Sequence, residues 1–305
     1  MPVLFALCGP TGVGKSSLSL ELAERYHAEI IGVDSRQIYR GFTIGTAQPA
    51  VSEMQRVVHH LINFCDPTRV YSAGDFCSDV RGLLEANPQK NFILVGGTGL
   101  YLQALMLGLP KIPEIDRSVR QALEADCDKH GLPWLCDEAR KVDPESMQDA
   151  DENNRHRILR ILEVYQGTGR KLSEWKQERS GGIGEIPVYF LNRSRENLYM
   201  RINERVDQMI SDGWLDEIQT LSKSVPLDAP AWQSLGYREL LNAHDQSEIS
   251  EILDKVKQQT RNYAKRQITW FSRQASSIQI NPDLEDALHI ILPLSSWTLE
   301  QRDRG

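Results

Sequence analysis

The stretch VLFALCGPTGVGKSSLSLEL, residues 3–22, runs from an apolar segment through a glycine-rich loop into an amphipathic segment. Gly9, Gly14, Lys15 and Ser16 fit the pattern G-x-x-x-x-G-K-[ST]. Glycines let such a backbone wrap a polyphosphate with its N–H groups turned inward. A helix beginning near Lys15 adds its positive dipole end. Lys15 supplies a point charge, and the Ser16 hydroxyl can ligate Mg²⁺. The whole cradle is Gly9, Pro10, Thr11, Gly12, Val13, Gly14, Lys15 and Ser16. A chance glycine-rich turn with a surface lysine would not need the strand before it and the helix after it. Read alone, the motif points to ATP.

Outward from the loop, EIIGV (29–33) and FILVGG (92–97) read as further buried strands. Amphipathic segments separate them, so the spacing predicts a parallel α/β sheet flanked by helices. GLPKIPEIDRS (108–118) breaks the pattern at Pro110 and Pro113, and a helical, charged stretch follows to about Lys176. SGGIGEIP (180–187) reads as a flexible return, and VYFLN (188–192) as a strand that rejoins the sheet. The expected organisation is a phosphate-loop α/β core, 1–111 and 186–305, with an all-helical insertion domain at 112–185. Residues 195–274 read as helical with a proline-marked break at Pro226 to Pro230. The last thirty residues carry no usable pattern.

The chain's 305 residues suffice for one large or two modest domains. Its net charge of -7 argues against indiscriminate polyanion binding but leaves room for a local basic face. Cys8, Cys65, Cys77, Cys127 and Cys136 never form a C-x-x-C pair. That gives no zinc pattern and suits a reducing cytosol. No run approaches the roughly 18 apolar residues of a membrane span, and the N-terminal run is too short for a signal peptide. A cytoplasmic protein is expected. The lack of a long exposed apolar stripe favours a monomer.

A phosphoryl-transfer enzyme on this scaffold needs a second strand ending in an acid for Mg²⁺. FILVGGTGLYL ends instead in glycines and Thr98. The acid stands elsewhere, as Asp34 after the second strand in GVDSRQIYRG. Ligands sit at this edge of such sheets. Asp34 is therefore read as a metal ligand or a general base, against the plainer reading of a turn cap.

The clearest basic segment is KVKQQTRNYAKRQITWFSRQ (255–274), with six Lys or Arg residues and no acid. Cations neutralise phosphates and aromatics stack on unpaired bases. Trp270 and Phe271 read equally well as core residues. A second patch holds Arg155, Arg157 and Arg160 beside the apolar Ile158 and Leu159, with Arg170 and Lys171 beyond.

Taken together, GPTGVGKS (9–16), DSRQIYRG (34–41), IGTAQP (44–49), YSAGDF (71–76), VGGTGLYLQAL (95–105), NRHRILRILEV (154–164), GYREL (236–240) and KRQITWF (265–271) resemble the tRNA dimethylallyltransferases, in that family's order. The resemblance implies transfer of a dimethylallyl group from dimethylallyl diphosphate to N6 of adenine 37, beside the anticodon of a tRNA, with loss of diphosphate. It implies Mg²⁺ as cofactor and the anticodon stem-loop as partner, with the target base flipped out of its loop. It implies catalytic roles for Asp34, as the base on the amine, and for Thr98 and Arg120. Arg120 reads otherwise as part of a solvated helix face. The implied tRNA contacts are Asp34, Ser35, Arg36, Gln37, Thr98 and Arg120 around the reacting base. Further contacts are His156, Arg157, Ile158, Leu159 and Arg160 on one helix, and Gln233, Ser234, Leu235, Gly236, Tyr237 and Arg238. The last group is Lys265, Arg266, Gln267, Ile268, Thr269, Trp270, Phe271 and Ser272. With no C-x-x-C or paired histidines near its end, the chain resembles the short bacterial-type form.

Three other readings stay open on the residues. A prenyltransferase acting on free adenine nucleotides needs no basic patches. A small-molecule kinase lacks its acidic strand end. An RNA-binding protein without catalysis leaves the loop and Asp34 without a purpose.

Overall fold

The computed structural model describes residues 3–148, 150–243, 245–274, 277–282 and 287–291. In chain order its elements begin with β1 (Val3–Cys8), α1 (Lys15–Arg25), β2 (Ala28–Val33), α2 (Val51–Arg56), β3 (His59–His60), α3 (Ala73–Ala86), β4 (Asn91–Gly96) and α4 (Gly99–Leu107). There follow β5 (Leu109–Pro110), α5 (Arg117–His130), α6 (Leu132–Val142), α7 (Pro144–Gln148), α8 (Arg155–Thr168), α9 (Leu172–Gln177) and β6 (Arg179–Ser180). The chain continues through β7 (Val188–Leu191), α10 (Arg195–Ser211), α11 (Trp214–Ser222), α12 (Tyr237–Leu241), α13 (Gln246–Phe271) and β8 (Ser277–Ile280).

β1 explains the architecture. All of VLFALC is buried, so the strand is covered on both faces and reads as a continuous apolar run. It pairs in parallel with β4 on one side and β7 on the other. The six-stranded parallel sheet has the order β3-β2-β4-β1-β7-β8. α1 follows β1 and lays Leu18, Leu20, Leu22 and Ala23 into the core that holds Leu7, Ile30 and Ile93. Each such leucine contributes about 1.5–3 kcal/mol by leaving water. The apolar VYFL joins the sheet as β7. β8 adds a further strand from a region expected to be featureless, because its short SIQI run is too brief to signal a strand. Beyond it, Ala287, Leu288 and Ile291 pack into the same core.

The chain divides into two compact units, Met1–Gln103 with Glu185–Gly305, and Ala104–Gly184. The second is helical. α5, α6 and α8 enclose Leu123, Cys127, Leu135, Cys136, Ile158 and Leu159. Buried Asp143 ties this unit together by accepting from Ser146 N at 3.0 Å and Ser173 N at 2.9 Å. A short antiparallel ladder, β5 with β6, lies in the same unit. No described helix is long and apolar enough to cross a membrane.

Candidate active site

The glycine-rich loop from Gly9 to Gly14 lies between β1 and α1, at the carboxyl edge of the sheet. Gly12 and Gly14 have φ of 81° and 104°, a region that a side chain disfavours. Gly14 is also the N-cap of α1 and offers no capping side chain, so the helix presents uncapped N–H groups to the space in front of it. Four basic side chains close on this loop. Lys15 Nζ donates to Gly9 O and Pro10 O, both at 2.9 Å. Arg193 Nε donates to Val13 O at 2.9 Å, and Arg201 Nε to Gly12 O at 2.9 Å. Arg205 Nη1 reaches Thr11 Oγ1 at 3.2 Å. Arg201 and Arg205 stand four residues apart on α10, on the helix that buries Leu198, Ile202 and Val206. Neither forms an ion pair among the described residues.

This crowding has an electrostatic consequence. Burial, then the nearby Arg205, push the Lys15 ammonium down to about 8, against the opposing pull of Asp34 and Cys8. Burial likewise lowers Arg205, with Asp34 opposing and Arg201 adding to the shift. Such an excess of desolvated positive charge at one loop has the chemistry that suits an anion with several oxygens.

Asp34 follows β2, and Thr98 follows the adjacent β4. Their strand ends are tied, since Gly97 N and Thr98 N both donate to Val33 O, at 3.2 and 3.1 Å. Asp34 Oδ1 accepts from Arg36 N at 2.8 Å and Gln37 N at 3.2 Å. The turn-cap reading of Asp34 is therefore right for one oxygen. Oδ2 takes no protein donor among the described residues. Thr98 Oγ1 accepts from Ser35 N at 3.2 Å. Thr98 also meets the Tyr263 phenol, which burial, foremost, and the charge of Asp34 push up.

The turn is braced from behind. Gln37 Nε2 donates to Thr46 O and Ala47 O, and Arg205 Nη2 also reaches Ala47 O. The Thr43–Gly45 segment is held by Glu217, which accepts from Thr43 N at 2.9 Å, Ile44 N at 2.8 Å, the Thr43 hydroxyl and, at 2.6 Å, the Tyr237 phenol. One cavity of about 660 Å³ joins these groups, with Lys15, Ser16, Asp34, Arg201, Arg205 and Tyr263 in its lining.

The IPP transferase family model matches residues 37–274. The chain belongs to the IPP transferase family. It is 41% identical over 280 residues to a tRNA dimethylallyltransferase of Salinibacter ruber, covering 89% of this chain and 85% of that one. It is 39% identical over 304 residues to a tRNA dimethylallyltransferase of Lacticaseibacillus casei, covering 97% of each. Among solved structures it is similar to the full-length tRNA isopentenylpyrophosphate transferase of Bacillus halodurans, with 33% identity, a TM-score of 0.68 and coverage of 100% and 98%. It is also similar to a eukaryotic dimethylallyltransferase acting on tRNA, with 26% identity, a TM-score of 0.81 and coverage of 99% and 80%.

Not all residues that the resemblance assigned to tRNA are on the surface of this IPP transferase. On α13 and its cap, Lys265, Arg266, Thr269 and Ser272 are exposed and Trp270 is half-buried. Phe271 is core, stacked on Phe190 with ring centroids 5.2 Å apart, and Ile268 packs on the main core. Gln267 is buried too, clamping the glycine-rich loop through Thr11 N and lining the cavity. Gln233 and Arg238 are exposed, whereas Ser234, Gly236 and Tyr237 are buried and Leu235 lines the cavity. Ile158 and Leu159 belong to the helical core, leaving His156 and Arg157 outside and Arg160 at its edge. On α8 and α13 these differences in exposure follow from helical geometry, since a helix exposes only the residues of one face.

Nor are all the cations uncompensated. Lys257 pairs with Asp207 at 2.6 Å, and Arg261 Nη1 donates to Asn203 Oδ1 at 2.6 Å. In the helical unit Arg155 pairs with Asp128, and Arg170 with Glu174 and Glu178. Arg120 bonds Glu124 at 3.0 Å and the buried Glu163 at 3.3 Å, which Arg160 shares at 3.1 Å. Arg120 Nη2 also lies 3.2 Å from His156 Nδ1. A guanidinium only donates, so Nδ1 is the unprotonated nitrogen of that imidazole. Sequence reasoning missed Arg193, Arg201, Arg205 and Gln267 as groups that hold the glycine-rich loop.

Proposed function

We propose that the protein transfers the dimethylallyl group of dimethylallyl diphosphate to the N6 amine of adenine 37 in a tRNA, as a cytoplasmic monomer. The observation that carries this reading is the placement of Asp34 and the cation-ringed phosphate loop in one cavity, with glycines and Thr98 where a kinase would carry its second acid.

In this reading the diphosphate oxygens sit against the N–H groups at the start of α1, with Lys15, Arg201 and Arg205 around them. Negative charge grows on the diphosphate as the allylic C1–O bond breaks, and these fixed positive groups stabilise it as it develops. The N6 lone pair forms the new bond to C1. One N6 proton passes to Asp34 Oδ2, the oxygen left free by the turn, while Oδ1 holds the carboxylate in place. Thr98 sets the Asp34–Ser35 turn through Ser35 N and meets the Tyr263 phenol at the same strand edge.

The residues present fit Mg²⁺. The Ser16 hydroxyl lines the cavity and makes no hydrogen bond to the described residues. Among the described residues no three His, Cys, Asp or Glu side chains gather at a metal site. Ser16 would thus hold the ion beside diphosphate oxygens and water, its usual environment in phosphate sites. When bound, it supplies further charge neutralisation on the leaving group.

Lys265 and Arg266 on the exposed face of α13 and Arg273 just after it, with Arg238, Gln233, His156 and Arg157, are the phosphate and base contacts this reading assigns to the anticodon stem-loop. Arg120 is assigned to the same substrate through its helix. The test offers labelled dimethylallyl diphosphate and Mg²⁺ with unmodified tRNA in one tube and AMP or ATP in another. Label is expected in the tRNA. Label in the free nucleotide alone would remove the tRNA assignment.

A further inference from the structure

The cavity is lined by two groups of elements. One, from α10 and α13, mixes charged and apolar side chains, Arg201, Arg205 and Tyr263 with Ile202, Val206 and Val256. The other runs over the sheet face beneath α1 and is apolar, with Leu20, Ile30, Ile62 and Val95 around Gly32. Ile30, Gly32 and Asp34 alternate along β2 and share a face. Gly32 and Val95 are neighbours in register, and Ile30 stands beside His59 of β3. From Asp34 this face descends first to Gly32, about 7 Å away, and then to Ile30, about 13 Å away, at the usual rise of a strand.

Ile62 covers the midpoint of that descent. A Cβ at position 32 would lie only 2.5 Å from Ile62 Cδ1, so the side chain sits directly on the glycine. The backbone that puts it there is unusual. Leu61 and Asn63, on either side, have φ of 58° and 52°, left-handed values that cost energy for residues with side chains. The strained segment is anchored to the catalytic turn, since Asn63 N donates to Gln37 O at 2.9 Å and Asn63 Oδ1 accepts from Gly41 N at 3.0 Å. Beyond Ile62 the cavity lining continues to Ile30 and His59.

The geometry points to Ile62 as the residue that measures the donor's hydrocarbon tail. This rests on the transferase reading above, which places the reacting C1 near Asp34 and the diphosphate on the loop. The acceptor base, rich in ring nitrogens, takes the side that carries Arg201, Arg205 and Tyr263, so the tail takes the apolar face of β2. A branched five-carbon tail fills the space from Asp34 to Gly32 and stops at Ile62. A ten-carbon tail has to pass it. The bonds made and broken are the same for both donors, so only the fit of the tail distinguishes them.

The experiment compares kcat/KM for dimethylallyl diphosphate and geranyl diphosphate, with the same unmodified tRNA and Mg²⁺. The wild type is expected to prefer the five-carbon donor. Ile62→Ala is expected to raise the geranyl-to-dimethylallyl ratio by about tenfold or more, the scale of one or two methylenes in an apolar pocket. Adding Gly32→Ala to Ile62→Ala returns a methyl to the emptied space and is expected to lower the ratio again. Thermal melts establish that each variant is folded, and Ile62→Val carries the same readout with a smaller change where Ile62→Ala does not fold. A wild type that uses both donors equally, or a folded variant with an unchanged ratio, overturns the assignment. A wild type inactive with both donors overturns the transferase reading beneath it.

Discussion

Gln267 Oε1 accepts the Thr11 N–H at 2.9 Å, across 256 residues of sequence, while its Nε2 donates to Gly97 O at 3.0 Å. One buried amide thus fixes the glycine-rich loop, the end of β4 and the helix whose outer face carries Lys265 and Arg266. Gln267→Leu leaves both backbone groups without a partner. It is expected to cost about 1–3 kcal/mol of stability and to weaken binding of diphosphate. Thermal melts and titration with diphosphate measure the two effects. Unchanged diphosphate affinity in the variant would separate the clamp from the site.

In the proposed reaction Asp34 has two tasks, one for each oxygen. Asp34→Asn keeps an acceptor for Arg36 N and Gln37 N but removes the proton acceptor. Its kcat is expected to fall by about 10²–10⁴, with tRNA affinity unchanged. Asp34→Ala also loses the turn and is expected to melt earlier. If Asp34→Asn kept its turnover and lost tRNA affinity, Asp34 would be a binding residue and not the base.

Lys15 titrates near 8 in the free protein because burial and Arg205 oppose its charge. Its folded value is below the ordinary one of 10.5, so the ammonium is charged below about pH 8 and is lost above it. A bound diphosphate favours the charged form. Diphosphate affinity is therefore expected to fall as pH rises above 8, by up to about tenfold per pH unit. The folded form loses its proton before the unfolded chain does, so this residue adds stability as pH rises from 8 towards 10.5. Lys15→Gln should flatten the affinity profile, and calorimetric titration across pH 7–10 tests it.

Lys265 and Arg266 are exposed beside the buried Gln267. Lys265→Ala and Arg266→Ala are each expected to weaken tRNA binding for all sequences alike and to lower the salt slope by about 1. Binding titrations at several salt concentrations give the slope. An unchanged slope would return these residues to the solvated face of an ordinary helix.

How far the sequence reaches depends on how local each signal is. The strand–loop–helix of residues 3–22 is legible because its glycines, lysine and serine are contiguous. Asp34 is legible because its strand is a short apolar run that ends in a turn former. Arg201 and Arg205 are not, because only the packing of α10 brings them to the loop. Their four-residue spacing beside Leu198 and Ile202 was the available signal, and the acids of the same helix obscured it. Gln267 lay hidden in a basic segment that reads as surface, since nothing in one sequence says which helical face turns inward. Asp207 compensates Lys257 from another helix, a pairing that counting acids within one segment does not find.

The central claim is that the loop holds a leaving diphosphate and that carbon, not phosphate, is transferred. The direct measurement gives the protein unmodified tRNA and Mg²⁺ with two labels at once, carbon in dimethylallyl diphosphate and γ-phosphate in ATP. The account predicts labelled carbon on the tRNA, one diphosphate released for each group transferred, and intact ATP. Phosphate label moved or released from ATP, with no carbon on the RNA, would contradict it.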